Sequence, residues 1–394
     1  MKGNMWKVLA SGAMAASMLA GCSAGSGNAG GAEGKTLNEG DTVKIGLNFE
    51  LSGDVSSYGQ AERNAAQLAI EQYNARTDTK FKAEGVEVDD KGDAAESTTQ
   101  AVKLCTEDGV AAIVGPATSG ASIATYAVAD ENSVPVISPS ATQVNAMMNG
   151  DNAYEYAWRV CFEDSYQGAA MAIYAADTLN CKKAAIINET SDYGQGLANQ
   201  FEETFKEHGG EVVAHEQYNA GDTDFASMLT SMKSKDFDVL YIAGYYSEAG
   251  LIIKQARTDG IDCPIVGADG FESEVLSELA GKENLNQVWY TTAYTTVDAS
   301  DELNAFIEAY KAKYDETPNM FSALAYDATN LVLDELEATG KTGAELNEAI
   351  KKAEFSGITG SFTFDEATHT PVKSVMVVNQ VDGVQTEATE VTVD

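Results

Sequence analysis

The sequence predicts an α/β protein of two Rossmann-like lobes with parallel sheets, joined by a multi-strand hinge. Three observations carry this. Short apolar runs rich in Val and Ile alternate with segments whose apolar residues recur every three or four positions. The alternation pauses at Tyr156–Val160 and then begins again, so the second half of the chain repeats the first. No Pro- or Gly-rich linker separates the halves, which points to two lobes connected by several short crossings and facing each other across a cleft.

In order, Val43–Phe49 reads as a strand, Leu51–Tyr58 as a loop, and Ala65, Leu68, Ala69 and Tyr73 as one helix face. Val86–Val88 is a second strand, followed by a charged loop and a helix through Ala101, Leu104 and Cys105. Val110–Val114 runs into Gly115-Pro116 and then into a helix beginning near Ser119. Such a turn presents backbone N–H groups and hydroxyls at a helix N-terminus, where the dipole favours an anion. Ser119 is there either as a helix cap or as a ligand contact. Val134–Ile137 is the next strand, and Tyr156–Val160 reads as a crossing segment.

The repeat comprises strands at Ala184–Asn188, Glu211–His215, Val239–Ala243, Ile265–Gly267 and Val288–Tyr290, with helices through Leu197 and Phe205, Phe225 and Met232, and Leu251 and Gln255. Three helices follow, around Phe306, Leu324 and Leu346, and two short strands, Gly360–Phe364 and Ser374–Val378, end the pattern. Parallel sheets of this kind place ligands beyond the carboxyl ends of their strands.

The 394 residues carry 25 Lys+Arg against 61 Asp+Glu, a formal charge of −36, which argues against nucleic acid or an anionic membrane surface as a partner. At the N-terminus, Lys2 and Lys7 precede the mostly apolar run Val8–Ala20, the form of a secretory signal over residues 1–21. Leu19-Ala20-Gly21-Cys22 resembles the lipobox of bacterial lipoproteins, which implies lipidation of Cys22 and a protein held outside the cytoplasm by an acyl anchor alone. The small residues that follow make 22–40 a flexible linker. Cys105, Cys161, Cys181 and Cys263 have no metal or Cys-x-x-Cys spacing, and their pairing is left open.

Catalytic motifs fail on context. Gly25-x-Gly27-x-x-Gly30 and Gly21-x-Ser23-x-Gly25 lie in the linker, and Glu335 occupies the first glycine position of a P-loop ending Gly340-Lys341-Thr342. None of His208, His215 or His369 falls in a candidate cleft loop, so neither an enzyme nor a metal or cofactor site is expected. The cleft loops instead combine hydroxyls, aromatic rings and one isolated carboxylate, Asp269. An α-amino acid needs donors for its carboxylate, an acceptor for its ammonium and an apolar wall, and this set supplies all three.

The order and lettering of these loops resemble the leucine/isoleucine/valine-binding proteins of ATP-binding cassette transporters, which have the type I periplasmic binding protein fold. The matching stretches are Leu51-Ser52-Gly53 with Tyr58-Gly59, Val114-Gly115-Pro116, Ile137-Ser138-Pro139 with Ala141-Thr142, Asp192 to Gly196, Gly244-Tyr245, Lys254 to Arg257 and Gly267 to Gly270. The resemblance implies a monomeric lipoprotein that captures a neutral, branched-chain aliphatic amino acid and delivers it to permease subunits. Residues 41–158 and 292–358 then form one lobe, and 159–291 and 359–394 the other.

The ligand-binding residues implied are Tyr58, Ala117, Thr118, Ser119, Ser140, Ala141, Thr142, Tyr193, Tyr245 and Asp269. Among them Ser119 and Thr142 hold the carboxylate, the backbone of Ala117 and Ser140 lies near the ammonium, Asp269 pairs with the ammonium, and the three tyrosines close over the ligand. Well-known members carry Glu where Asp269 stands, and a first-lobe disulfide whose partners fall near Asp93 and at Thr118. Ala117 stands for a larger apolar residue and widens the side-chain pocket. A ligand such as an amide, urea or an aromatic acid is the alternative within the same fold.

Overall fold

The computed structural model describes residues 34–393 apart from Asp298, Val372, Asp382 and Gly383. The expected signal segment, Cys22 and the linker up to residue 33 lie outside the described residues. Residues 34–40, grouped with the linker by composition, are held in place. The Gly34 N–H donates to Glu345 Oε2 at 3.0 Å and the Lys35 N–H to Thr342 Oγ1 at 3.0 Å, and the Leu37 N–H donates to the Gly340 carbonyl at 2.8 Å.

The first sheet is built from β1 (Thr42–Phe49), β2 (Lys82–Asp89), β3 (Ala112–Val114), β4 (Val136–Ser138) and β7 (Ala157–Arg159), with a small hairpin, β5 (Met148–Asn149) and β6 (Asn152–Ala153), between the last two. Its order is β2-β1-β3-β4-β7 and all its pairs are parallel. Helices α1 (Ser56–Ala75), α2 (Ala94–Lys103) and α3 (Ser119–Asn132) connect the strands. Every residue from Ile45 to Phe49 of β1 is buried, on both sides of the strand, as a parallel sheet covered on both faces requires.

After β7 the chain crosses to a second sheet through α4 (Asp164–Ile173), which packs on α5 (Asp192–Glu207). The second sheet takes β8 (Lys183–Glu189), β9 (Glu211–Tyr218), β10 (Val239–Ala243), β11 (Ile265–Gly267) and β12 (Val288–Thr292), connected by α5, α6 (Ala226–Lys233), α7 (Tyr246–Thr258) and α8 (Glu274–Ala280). Three helices, α9 (Asp301–Tyr314), α10 (Met320–Thr339) and α11 (Ala344–Lys351), then return to the first sheet, where α10 packs on α1, β3 and β4. A hairpin, β13 (Phe355–Gly357) with β14 (Gly360–Phe362), precedes β15 (Val375–Val381) and β16 (Val384–Val391). The second sheet runs β16-β15-β12-β11-β10-β8-β9, parallel from β9 to β12 and antiparallel at β15 and β16.

Several sequence expectations change. Ala157-Trp158-Arg159 is a buried fifth strand and not merely a crossing. The expected strand Gly360–Phe364 is one arm of the β13–β14 hairpin. Helix α4 has no counterpart in the periodicity analysis because its Gly168–Ala172 stretch is buried on every side, which removes the polar face that marks an amphipathic helix. Cys105, Cys161, Cys181 and Cys263 are free thiols. Near the first position where the resemblance implies a disulfide in other members, Asp93 caps α2 by accepting from the Ala95 and Glu96 N–H groups, and at the second Thr118 precedes α3, which packs on α2.

The chain thus passes between the sheets three times, between β7 and α4, between β12 and α9, and between β14 and β15. Arg159 stitches two of these crossings together. Its guanidinium, 1% exposed, donates to Thr370 Oγ1 at 2.7 and 2.9 Å, to the Ala141 and Gln143 carbonyls at 2.9 and 2.8 Å, and to Glu163 at 2.5 Å. Trp158 stacks on His369 beside it at 3.9 Å between ring centroids. Among the described residues no helix is long and apolar enough to cross a membrane.

Candidate functional site

The turn from β3 into α3 depends on Gly115. Its φ is +102°, and a Cβ there would sit 2.0 Å from the Asn48 carbonyl oxygen. The chain then places Ala117 and Thr118 over a buried carboxylate, Glu50. The Ala117 N–H donates to Glu50 Oε2 at 3.0 Å, and the Thr118 N–H and hydroxyl donate to Oε1 at 2.8 Å each. Burial pushes the Glu50 carboxyl up, and these donors pull it back.

The neighbouring loop is tied similarly. Ser140 Oγ donates to Glu62 Oε1 at 2.6 Å and lies 3.0 Å from the Ala117 carbonyl oxygen. Two buried glutamates therefore hold both loops of the first sheet in shape.

Of the hydroxyls on these two loops, the glutamates take those of Thr118 and Ser140 and leave those of Ser119 and Thr142. Ser119 is the first helical residue of α3, so it is not the cap; Thr118 occupies that position without capping. Ser119 Oγ accepts from the Gln143 N–H at 3.1 Å, which leaves its own proton to donate. The first-turn N–H groups of α3 lie beside it, an anion-friendly terminus.

Asp269 faces this turn from the end of β11. It is 3% exposed, and its Oδ1 accepts from Tyr193 Oη at 2.7 Å and from Gln167 Nε2 at 2.9 Å. No side-chain donor among the described residues reaches Oδ2. Burial raises the Asp269 carboxyl, while Tyr193 and Gln167 favour its charged form. Gly270 is required by close approach, because a Cβ would meet the Gly244 carbonyl oxygen at 2.5 Å and Tyr193 Oη at 2.8 Å.

Aromatic rings close the space. Tyr193 and Tyr245 stack at 4.9 Å with planes 2° apart, Tyr58 meets Tyr245 edge-on at 5.9 Å, and Tyr58 stacks on Phe321 at 4.1 Å. Tyr58 Oη donates to the Gly270 carbonyl at 2.5 Å, linking α1 to the second sheet's loop. Ser57 Oγ adds a contact with Ser273 Oγ at 2.8 Å, and the Ser57 N–H donates to Tyr246 Oη at 3.2 Å.

Tyr58, Ala117, Thr118, Ser119, Ser140, Thr142, Tyr193, Tyr245 and Asp269 thus line one cavity, together with Gly270 and Phe321. The space that no atom fills there is about 250 Å3 with the open solvent at its mouth included, and the centre of a water molecule reaches only about 10 Å3 of it. A ligand the size of an amino acid seats there only if a wall moves outward. Ala141 does not line it: the residue is fully buried, its N–H donating to Ser138 Oγ at 3.0 Å and its carbonyl accepting from Arg159. Thr118 lines it with its N–H and hydroxyl already bonded to Glu50.

Phe321 escaped sequence reasoning because it lies in an apolar helix far along the chain. Glu50, Glu62 and Gln167 escaped because none of them falls in a loop or on an apolar face that the sequence singles out. Among the described residues no group of three or more His, Cys, Asp or Glu side chains is placed to hold a metal ion.

Removing the Tyr58 hydroxyl should weaken ligand binding by about 1 kcal/mol, about fivefold, because the bond it loses joins the two sides of the cavity. Calorimetric titration of Tyr58→Phe checks this, and an unchanged affinity would show that the link is unimportant to closure.

Comparison with known proteins places these features in a family. Residues 42–385 match the periplasmic binding protein family. A leucine-, isoleucine-, valine-, threonine- and alanine-binding protein of Pseudomonas aeruginosa is 29% identical over 328 residues, 83% of this chain and 86% of the relative. The branched-chain amino acid transporter substrate-binding protein LivJ of Streptococcus pneumoniae, solved with isoleucine, is 41% identical with a TM-score of 0.84, covering 89% of this chain and 99% of that one. The leucine-binding protein LivK of Thermotoga maritima is 32% identical with a TM-score of 0.82, covering 89% and 98%.

Proposed function

This chain belongs to the periplasmic binding protein family, and from that membership we propose that it captures a branched-chain aliphatic amino acid between two closing lobes and delivers it to the permease of an ATP-binding cassette transporter. The observation that carries the reading is the opposition of Ser119 and Thr142 to Asp269 across one aromatic-walled cavity. Two hydroxyls and a helix N-terminus suit a carboxylate, a buried carboxylate suits an ammonium, and Tyr58, Phe321 and Ala117 suit an aliphatic side chain.

The protein acts outside the cytoplasm as a binding protein without chemistry of its own, a monomer anchored through lipid on Cys22. Lobe 1 comprises residues 41–158 and 292–358, and lobe 2 residues 159–291 and 359–394. The three crossings serve as the hinge, and closure brings Tyr58 onto Gly270. Asp269 disfavours the alternative ligands, since an amide, urea or an aromatic acid brings no ammonium to neutralise it.

Calorimetric titration with a panel of α-amino acids and amides tests the reading. Leucine, isoleucine or valine should bind most tightly. Failure of every α-amino acid to bind would overturn it.

A further inference from the structure

Behind Asp269 lies a second carboxylate, Asp164 at the start of α4. It is fully buried, and its environment is unequal. Oδ1 accepts from Gln167 Nε2 at 2.7 Å, and Oδ2 has no hydrogen-bond partner. The same Gln167 amide donates to Asp269 Oδ1 at 2.9 Å, while its carbonyl oxygen accepts from the Asp269 N–H at 3.1 Å and from Thr291 Oγ1 at 2.7 Å. Gln167 is therefore a fixed bridge between two carboxylates. Asp164 also reaches the opposite side of the cavity, its N–H donating to the Thr142 carbonyl at 2.8 Å.

Two buried carboxylates that share one amide do not both stay ionised without a nearby cation. Asp269 has the donors that favour a charge, from Tyr193 and Gln167, whereas Asp164 shares the Gln167 amide and keeps Oδ2 without a hydrogen-bond partner. The proton of the pair belongs on Asp164.

Resting on the amino-acid reading above, we propose that Asp164 is a positioning residue of the ammonium site, protonated in the free protein and releasing its proton to solvent when the ligand ammonium reaches Asp269. The step balances: the Oδ2–H bond of Asp164 breaks, the proton passes to buffer, and the carboxylate left behind joins Asp269 in compensating the ammonium.

The surroundings agree with this direction. Burial raises the Asp164 carboxyl to about 8, and the charge of Asp269 is the next cause, one that a bound ammonium cancels. Arg159 and the Thr142 side chain act the other way. The other titratable groups facing Asp164 are Cys161 on the crossing, Tyr193 on α5, Tyr241 on β10 and Tyr245 before α7. All four are pushed up by burial and are neutral near pH 8, so none takes the proton.

The sign follows from linkage. A carboxyl whose affinity for a proton falls on binding makes ligand affinity rise with pH below about 8 and level off above it, by at most about tenfold per pH unit.

The test is calorimetry of leucine binding to the intact protein near pH 7, in two buffers of different ionisation enthalpy. The expected result is net release of up to about one proton, lost in Asp164→Asn, whose affinity no longer varies with pH in this window. Leucine binding by the unaltered protein with no buffer dependence overturns the inference and leaves the amino-acid reading standing. Absence of binding by any α-amino acid overturns both.

Discussion

Asp269→Ala should lose at least about 2 kcal/mol of amino-acid affinity, about thirtyfold or more, because it removes the buried partner of the ligand ammonium. Asp269→Asn separates charge from shape. The amide still accepts the Tyr193 hydroxyl, 2.7 Å away, at its oxygen, so the fold is kept. Its affinity should nevertheless fall nearly as far, since a neutral oxygen does not compensate a desolvated ammonium. Calorimetric titration of both variants decides. Affinity retained in Asp269→Asn would mean that the carboxylate does not meet an ammonium.

The second large effect is on stability. Arg159→Ala should destabilise the protein by about 3–5 kcal/mol, the cost of breaking a buried ion pair by removing one partner. The loss leaves Thr370 Oγ1, the Ala141 and Gln143 carbonyls and Glu163 without their shared donor. It should also weaken ligand binding, because the freed Ala141–Gln143 segment includes Thr142 and the Gln143 N–H that orients Ser119. Arg159→Lys should rescue little, since a single ammonium cannot serve four acceptors spread across a planar fork. Urea denaturation with titration of the folded variant measures both effects. A stability change below about 1 kcal/mol would show that the two crossings do not depend on this side chain.

These two residues also show how far the sequence was legible. Asp269 was readable in part because it stands among glycines in the loop that follows a strand, and its role came from the motif Gly267-Ala268-Asp269-Gly270. The α/β alternation was readable because Val- and Ile-rich runs such as Val239–Ala243 are buried on both faces and interrupt amphipathic helices such as α5.

Arg159 was legible only as a letter in a crossing segment, since its partners lie 4, 16, 18 and 211 residues away. Periodicity carries no information on contacts of that kind. The same limit hid Phe321 and the Asp164–Gln167 bridge, and it concealed that Thr118 serves Glu50. Strand β16 was missed for another reason. It is an edge strand paired on one side only, and its Thr- and Glu-rich sequence reads as a polar tail.

The central claim is that one cavity clamps both charges of an amino acid, Ser119 with Thr142 on one side and Asp269 on the other. Calorimetric titration of leucine alongside leucinamide and 4-methylpentanoate, each lacking one of the two charges, tests it most directly. The clamp predicts that both analogues bind at least about thirtyfold more weakly than leucine, the loss expected for a desolvated charge-assisted contact. An analogue that binds as tightly as leucine would contradict the claim for the side of the cavity it leaves unpaired.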